Sequence, residues 1–308
     1  MIDLIKDTIY ELTPEKVRPV LGVPRKVVEI LLSPVPKTLI VLPHDGGFFS
    51  NFNKVMNHLV CSLHHYGVMA IEADWNIKKK SKFNNFFYGT YKDGNIWEHF
   101  FEQPSFPPHS LIMRRTTTFY RDLSITGKNV YSLYKSGAGW RQQYHSAFKE
   151  YIRIKPHILR EVEHTYSQYL AERYCIGVHI RNNVIKGEQP DGQMPPLEHY
   201  MAEIRRIIFS KKGEVKIFLA TDVEEYVERF KNVFGEKIVT QKDVTRLQFP
   251  SNTEEGIIYR YNPNLKWGED VVKDCLLLTK CDVLVHRVSN IATAAGYINP
   301  SIPMIYCQ

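Results

Sequence analysis

The chain has 308 residues, a formal net charge of +7, 44% hydrophobic and 24% charged residues. That length fits two domains of ordinary size, and the balance is that of a globular chain, neither disordered nor fibrous. No stretch approaches the roughly 18 consecutive apolar residues needed to cross a bilayer, so no transmembrane helix is expected.

The opening residues, MIDLIKDTIY, carry two acidic side chains and no apolar core, and do not read as a signal peptide. Cysteines stand at 61, 175, 275, 281 and 307, and the one close pair, Cys275 and Cys281, fits no zinc or redox spacing. An odd count without a secretion signal points to reduced thiols and a cytoplasmic location. The tripeptide NPS at 299 is no glycosylation acceptor because of its proline. Part of the positive charge sits in KKKSK (78–82), which reads as a solvated loop. The excess suits an anionic small ligand. No helix-turn-helix, zinc-finger or RNP signature accompanies it, so nucleic acid is not the expected partner.

In chain order, KTLIVLPHDGG (37–47) is a β-branched strand running into a glycine turn. SNFNKVMNHLVCSLHHYG follows, with Ser50 placed as N-cap, Gly67 as the stop, and apolar residues at 52, 55, 56, 59, 60 and 63 in helical spacing. VMAIEADW (68–75) is a second buried strand, so the unit strand–helix–strand predicts parallel pairing. Residues 152–174 form a long amphipathic pattern, broken early by Pro156, that connects two halves. From residue 174 onward strands and helices alternate: YCIGVHIR, a helix from 196, VKIFLATD, a helix from 223, EKIVTQ, a helix from 268, CDVLVHR, a helix from 289 and a last strand PMIYCQ. The expected fold is α/β, with two Rossmann-like domains, residues 1–170 and 171–308, facing a central cleft.

Ligands of open α/β sheets bind beyond the carboxyl ends of the strands. Three such ends here are polar: His179, Arg181 and Asn182; Thr221 and Asp222; His286, Arg287, Ser289 and Asn290. Asp222 with Glu225 also has the pattern of a capping box. Ser289 or Asn290 can cap the next helix, and such a helix start offers free N–H groups and a positive dipole end to a phosphate. Arg181 at the end of an apolar run is costly to bury without an anion, and its planar fork fits a diphosphate. A structural ion pair with a carboxylate is the alternative.

These motifs resemble the GT-B fold fucosyltransferase group, which contains α1,6-fucosyltransferases, the nodulation fucosyltransferase and protein O-fucosyltransferases. GVHIRN (177–182) resembles the group's G-V-H-x-R-R, and FLATDV (218–223) its x-L-A-T-D-D. Asp274, Asp282, VLV and Ser289–Asn290 keep its C-terminal spacing, and GGFFSNFNKVMNHL (46–59), with Gly47, Phe48 and Asn51, looks like its glycine turn leading into a helix. NIWEHFFEQP (95–104) resembles the segment that follows. The resemblance implies an inverting glycosyltransferase that moves L-fucose from GDP-fucose to a hydroxyl of a glycan or other acceptor, with no metal and no cofactor beyond the donor. By carry-over, Arg181 grips the leaving diphosphate, and His179, Asn182, Asp222, Asp274, Ser289, Asn290, Gly47, Phe48 and Asn51 line the donor site. The group's second arginine is Asn182 here, the aspartate two positions on is Val184, and the expected glutamate base is Gln189. Glu188 and Asp191 are the neighbours able to serve as base. These departures leave two other readings open, the same fold with another nucleotide sugar and a module that binds nucleotide or glycan without turnover.

Overall fold

The computed structural model describes residues 37–44, 46–61, 63, 68–76, 88–90, 92–104, 114–117, 139–181, 195–248 and 264–307. Its strands form two separate sheets, and every pair is parallel. The first sheet has the order β2-β1-β3, from β1 (Lys37–Val41), β2 (Val68–Ala73) and β3 (Arg114–Thr117). Helix α1 (Phe48–Cys61) joins β1 to β2 as the sequence predicts.

Ser50 is not the N-cap of α1. The helix begins two residues earlier, and the N–H groups of Ser50 and Asn51 both donate to the Gly47 carbonyl, at 3.0 and 3.2 Å. The glycine turn itself supplies the cap position. Pro156 likewise starts a helix where the sequence suggested a break. The amphipathic stretch holds one helix, α4 (Pro156–Tyr169), preceded by α3 (Gly139–Tyr151), which the sequence does not predict, and Pro156 takes the first helical position, where a missing N–H costs nothing. Between β2 and β3 lies the one-turn helix α2 (Trp97–Phe100). Gly67, expected to end α1, lies outside the described residues.

The second sheet is built from β4 (Tyr174–Ile180), β5 (Val215–Thr221), β6 (Ile238–Val239), β7 (Val283–His286) and β8 (Met304–Tyr306), in the order β6-β5-β4-β7-β8. Helices α5 (Leu197–Phe209), α6 (Glu224–Phe234), α7 (Leu265–Thr279) and α8 (Asn290–Ile298) connect them. β4 is the centre, and the chain leaves it to one side through α5 and returns to the other through α7. The sheet is buried on both faces, which is why its strands are continuous apolar runs. Alternation sorts them: Ile176, Val178 and Ile180 pack with α5 and α6, whereas Cys175, with Phe218 of β5, packs with α7 and α8. Gly177 lets α7 approach, since a Cβ there would stand 3.1 Å from Leu278 and 3.2 Å from Cys281.

The core on the α7/α8 side runs without interruption into the first half of the chain, through α1, α3 and α4. α1 is therefore covered on all sides, its polar residues Asn51, Asn53, Lys54, Asn57 and His58 included. Burial of so many polar groups requires partners. Lys54 Nζ donates to the Leu42 carbonyl at 3.0 Å, and Asn57 Oδ1 accepts from the Tyr144 hydroxyl at 2.7 Å. Asn53 Nδ2 donates to both the backbone oxygen and Oδ1 of Asn290, and its Oδ1 accepts from the Tyr297 hydroxyl at 2.7 Å. Among the described residues, no helix is long and apolar enough to cross a membrane.

Candidate functional site

The chain reverses its direction of travel across the second sheet between β4 and β7, and a crevice beyond the carboxyl ends at such a switch point is where ligands of open α/β sheets bind. There His179 pairs in register with His286. Both rings are buried, and burial is the main reason their pKa values drop, to about 3 for His179 and about 4 for His286. His286 and Arg181 add positive charge that depresses His179 further. Both are neutral imidazoles at physiological pH. His286 Nδ1 lies 2.8 Å from the Arg287 carbonyl, which can only accept, so the proton is on Nδ1.

Ser289 is the N-cap of α8, accepting from the Ala292 N–H at 3.1 Å, and the same hydroxyl lies 3.1 Å from His179 Nδ1. One side chain thus closes the helix start and fixes the histidine ring. When Oγ donates to Nδ1, the His179 proton sits on Nε2. Arg287, behind this pair, is held by the Cys307 carbonyl at 2.9 Å and by the Tyr306 ring, 4.8 Å from its guanidinium carbon.

Arg181, the residue after β4, is half-buried. The hydroxyl of Tyr88 reports its surroundings. Burial raises the Tyr88 pKa, the Phe48 N–H and the Arg181 charge partly lower it, and Asp222 raises it. The first turn of α1, Tyr88, Arg181 and Asp222 are therefore electrostatic neighbours, although they come from both halves. This joins the amino end of α1 to the strand ends of the second sheet. Asn53, one turn into α1, reaching the first residue of α8 makes the same connection by hydrogen bonds.

The residues of the glycine turn divide their roles. Asn51 is buried: its Oδ1 accepts from the His44 N–H at 2.7 Å and its Nδ2 donates to the carbonyls of His44, Gly46 and Gly47, so it shapes the turn from beneath. His44 is fixed by the Gly46 N–H at Nδ1 and by Ser50 Oγ at Nε2. At Gly46 a Cβ would stand 2.3 Å from the His44 ring, so that position needs glycine. The Phe48 side chain is core, edge-on to Trp75, Tyr88 and Phe100, while the Gly47 carbonyl accepts from the Ser50 and Asn51 N–H groups and the Phe48 N–H meets the Tyr88 hydroxyl.

Asp222 does not form the capping box with Glu225 that the sequence suggests. The N-cap of α6 is Val223, with no side-chain cap bond. The segment around 247 crosses the start of α6, and the carbonyls of Leu247 and Gln248 accept from the N–H groups of Glu224 and Glu225 at 2.7 and 3.1 Å. Backbone has displaced the side chain, and Asp222 stays half-buried at the strand end.

Asp274, on α7, keeps part of its surface accessible, yet enough protein surrounds it that burial pushes its carboxyl up to about 7. Gln241 Nε2 donates to it and to the Asp270 carbonyl, and Arg246 pulls its pKa back down. Arg246 is itself locked by the Thr221 carbonyl at 3.1 Å, the Gln241 carbonyl at 3.2 Å and Glu224 at 3.3 Å. Tyr88 and Arg246 lie in stretches without periodicity and Gln241 ends the short strand expected at EKIVTQ, and since none carries a motif the sequence does not single them out. The position of Asp282 has a structural basis instead. Asp282 Oδ2 accepts from the Cys175 N–H at 2.7 Å, at the amino end of the sheet, remote from the crevice. Asn182, Glu188 and Asp191 lie outside the described residues.

No family model matches the chain, and no curated protein does. Solved structures match its fold. Fucosyltransferase NodZ from Bradyrhizobium aligns at 15% identity and a TM-score of 0.52, over 88% of this chain and 94% of that one. NodZ α-1,6-fucosyltransferase co-crystallised with GDP gives the same figures, and the form soaked with GDP-fucose aligns at 14% identity over 86% and 93%, with a TM-score of 0.52. The α/β fold with parallel sheets expected from the sequence is the fold found, and it is shared with these fucosyltransferases.

Proposed function

We propose that the protein is an inverting glycosyltransferase that takes fucose from GDP-fucose and passes it to a hydroxyl acceptor. The observation that carries this reading is the cationic and dipolar cluster at the switch point, Arg181 with His179 and the Ser289-capped start of α8, in a fold shared with enzymes crystallised with GDP and GDP-fucose. We further propose that residues 1–170 form the acceptor side and 171–308 the donor side.

In this reading the acceptor oxygen attacks the anomeric carbon in line as the bond to the diphosphate oxygen breaks. Negative charge gathers on the departing GDP. Arg181 stabilises that charge bidentately, the first N–H groups of α8 beside Asn290 add their dipole, and neutral His179 donates from Nε2. Asp222 and Asp274 hold the nucleoside, with Asp274 kept in place by Gln241. Gly47, Phe48 and Asn51 bring the α1 turn to the cleft. The acceptor proton goes to Glu188 or Asp191, which follow Arg181 in the chain, and Asn182 contacts the donor. No metal takes part, since Arg181 and the helix dipole supply the positive charge. The basic balance of the chain suits an anionic donor in a cytoplasmic setting.

The test combines calorimetric binding of GDP, UDP, ADP and dTDP in a chelator with turnover of GDP-fucose. GDP should bind in preference, and Arg181→Ala should lower kcat about 100-fold or more, on the scale of removing one oxyanion donor, with a smaller loss of donor affinity. Tight binding of UDP in place of GDP would remove the fucose assignment. A folded Arg181→Ala protein with normal kcat would make this arginine structural.

A further inference from the structure

Outside the strand ends, two histidines and a carboxylate meet from three elements that are distant in sequence. His99 Nε2 is 2.8 Å from Glu269 Oε1, and His157 Nε2 is 3.5 Å from the same oxygen. The three atoms lie within 4.8 Å of one another. His99 belongs to α2, His157 is the second residue of α4, and Glu269 stands in the second turn of α7. Glu269 is five residues from Asp274, about 140° around the helix at 100° per residue, so it points away from the donor side.

A plain ion pair accounts for half of this arrangement. The His99–Glu269 contact is a good hydrogen bond, but His157 Nε2, shielded from solvent, makes none among the described residues. Both imidazoles aim the same nitrogen at one oxygen, an arrangement in which a single cation can be shared by all three. An ion with nitrogen and oxygen ligands near 2.0–2.2 Å in a tetrahedron places those ligands about 3.4 Å apart, within the range seen here after small side-chain rotations. Two imidazoles and one carboxylate are a set that zinc accepts, leaving a position for water. The backbones beneath are already fixed. Phe100 lies directly on Gly268, where a Cβ would be 2.3 Å from the ring, so the neighbours His99 and Glu269 are held together by packing independent of any ion.

We propose that His99, His157 and Glu269 bind a divalent transition ion of the zinc type, which fastens α2 and the start of α4 to α7. The site has no part in sugar transfer. It is tested on the full chain stripped with chelator and titrated with Co²⁺, then with Zn²⁺. One equivalent of Co²⁺ should bind with the visible absorption of a four-coordinate site, and Zn²⁺ should displace it. At about a hundredfold excess over Kd the ion should raise Tm by roughly 5 °C. His157→Gln and Glu269→Gln should each lower Co²⁺ affinity at least 10-fold, with circular dichroism and GDP binding unchanged. Absence of Co²⁺ binding overturns the proposal, as does equal binding by both variants, which would place the ion on other ligands. GDP binding is read separately, so failure here leaves the donor site untouched.

Discussion

At the start of α6 the carbonyls of Leu247 and Gln248 hold the N–H groups that a capping side chain would have taken. A substitution at Asp222 therefore leaves the cap intact. Asp222→Ala should change unfolding free energy by no more than about 0.5 kcal/mol, while GDP affinity drops roughly 10-fold, the loss of one charge-assisted hydrogen bond. Chemical denaturation and calorimetry check both halves of the statement. A loss of about 1 kcal/mol with unchanged affinity would restore the capping role. The residues Asp222 and Glu225 have the right spacing for a cap, and local spacing is all that a sequence displays. What displaced it is a crossing segment more than twenty residues later in the chain. Ser289 does cap its helix, its own hydroxyl accepting from the Ala292 N–H, and there the local pattern decides.

Elements were legible where burial imposes a period. β4, β5 and β7 stand out as apolar runs because helices cover both faces, and the helices between them as 3.6-residue patterns. β3 and α2 escaped for the opposite reason: four residues each show no period, and α3 is mostly polar on its surface. The β4–β7 pair also carries a pH dependence. Its two histidines titrate in the unfolded chain near 6.5 but in the folded one at about 3 and about 4. Between those values the unfolded chain holds protons that the folded chain does not, so stability is full above pH 6.5 and falls as pH drops towards 4. Asp274 works against them: its raised pKa makes folded stability fall as pH rises from about 4 to 7. Two protons against one leaves a net loss on acidification. His179→Asn should flatten the slope of unfolding free energy against pH by about 1.4 kcal/mol per pH unit between 6 and 4. Urea melts across that range give the number, and an unchanged slope would mean that His179 is charged in the folded protein.

For the molecule as a whole, α1 is the joint. Its Asn53 answers to Asn290 and Tyr297 from the far end of the chain, and its Asn57 to Tyr144. Cutting Asn53 back to Ala leaves the buried Tyr297 hydroxyl without its acceptor, which costs about 1–3 kcal/mol. It also loosens α8 from α1, so GDP affinity should fall together with stability, unlike the Asp222 case. A scan of Tm with and without GDP separates the two: in Asn53→Ala both the baseline and the GDP-induced shift should shrink. A normal shift over a lowered baseline would mean that the two halves need no such joint to bind nucleotide. The sequence placed Asn53 on a helix but gave no sign of these partners, since contacts across more than two hundred residues leave no local period.

That dispersal has a consequence during synthesis on the ribosome. Tyr88 and Arg181 emerge first, Asp274 later, and Ser289 with the start of α8 after them. A chain that has released everything up to β6 has the strand ends of β4 and β5 but neither β7 nor the start of α8. Nucleotide capture should therefore be absent from stalled nascent chains of intermediate length and arrive in one step once α8 clears the exit tunnel. A labelled guanine nucleotide would then time the completion of the molecule.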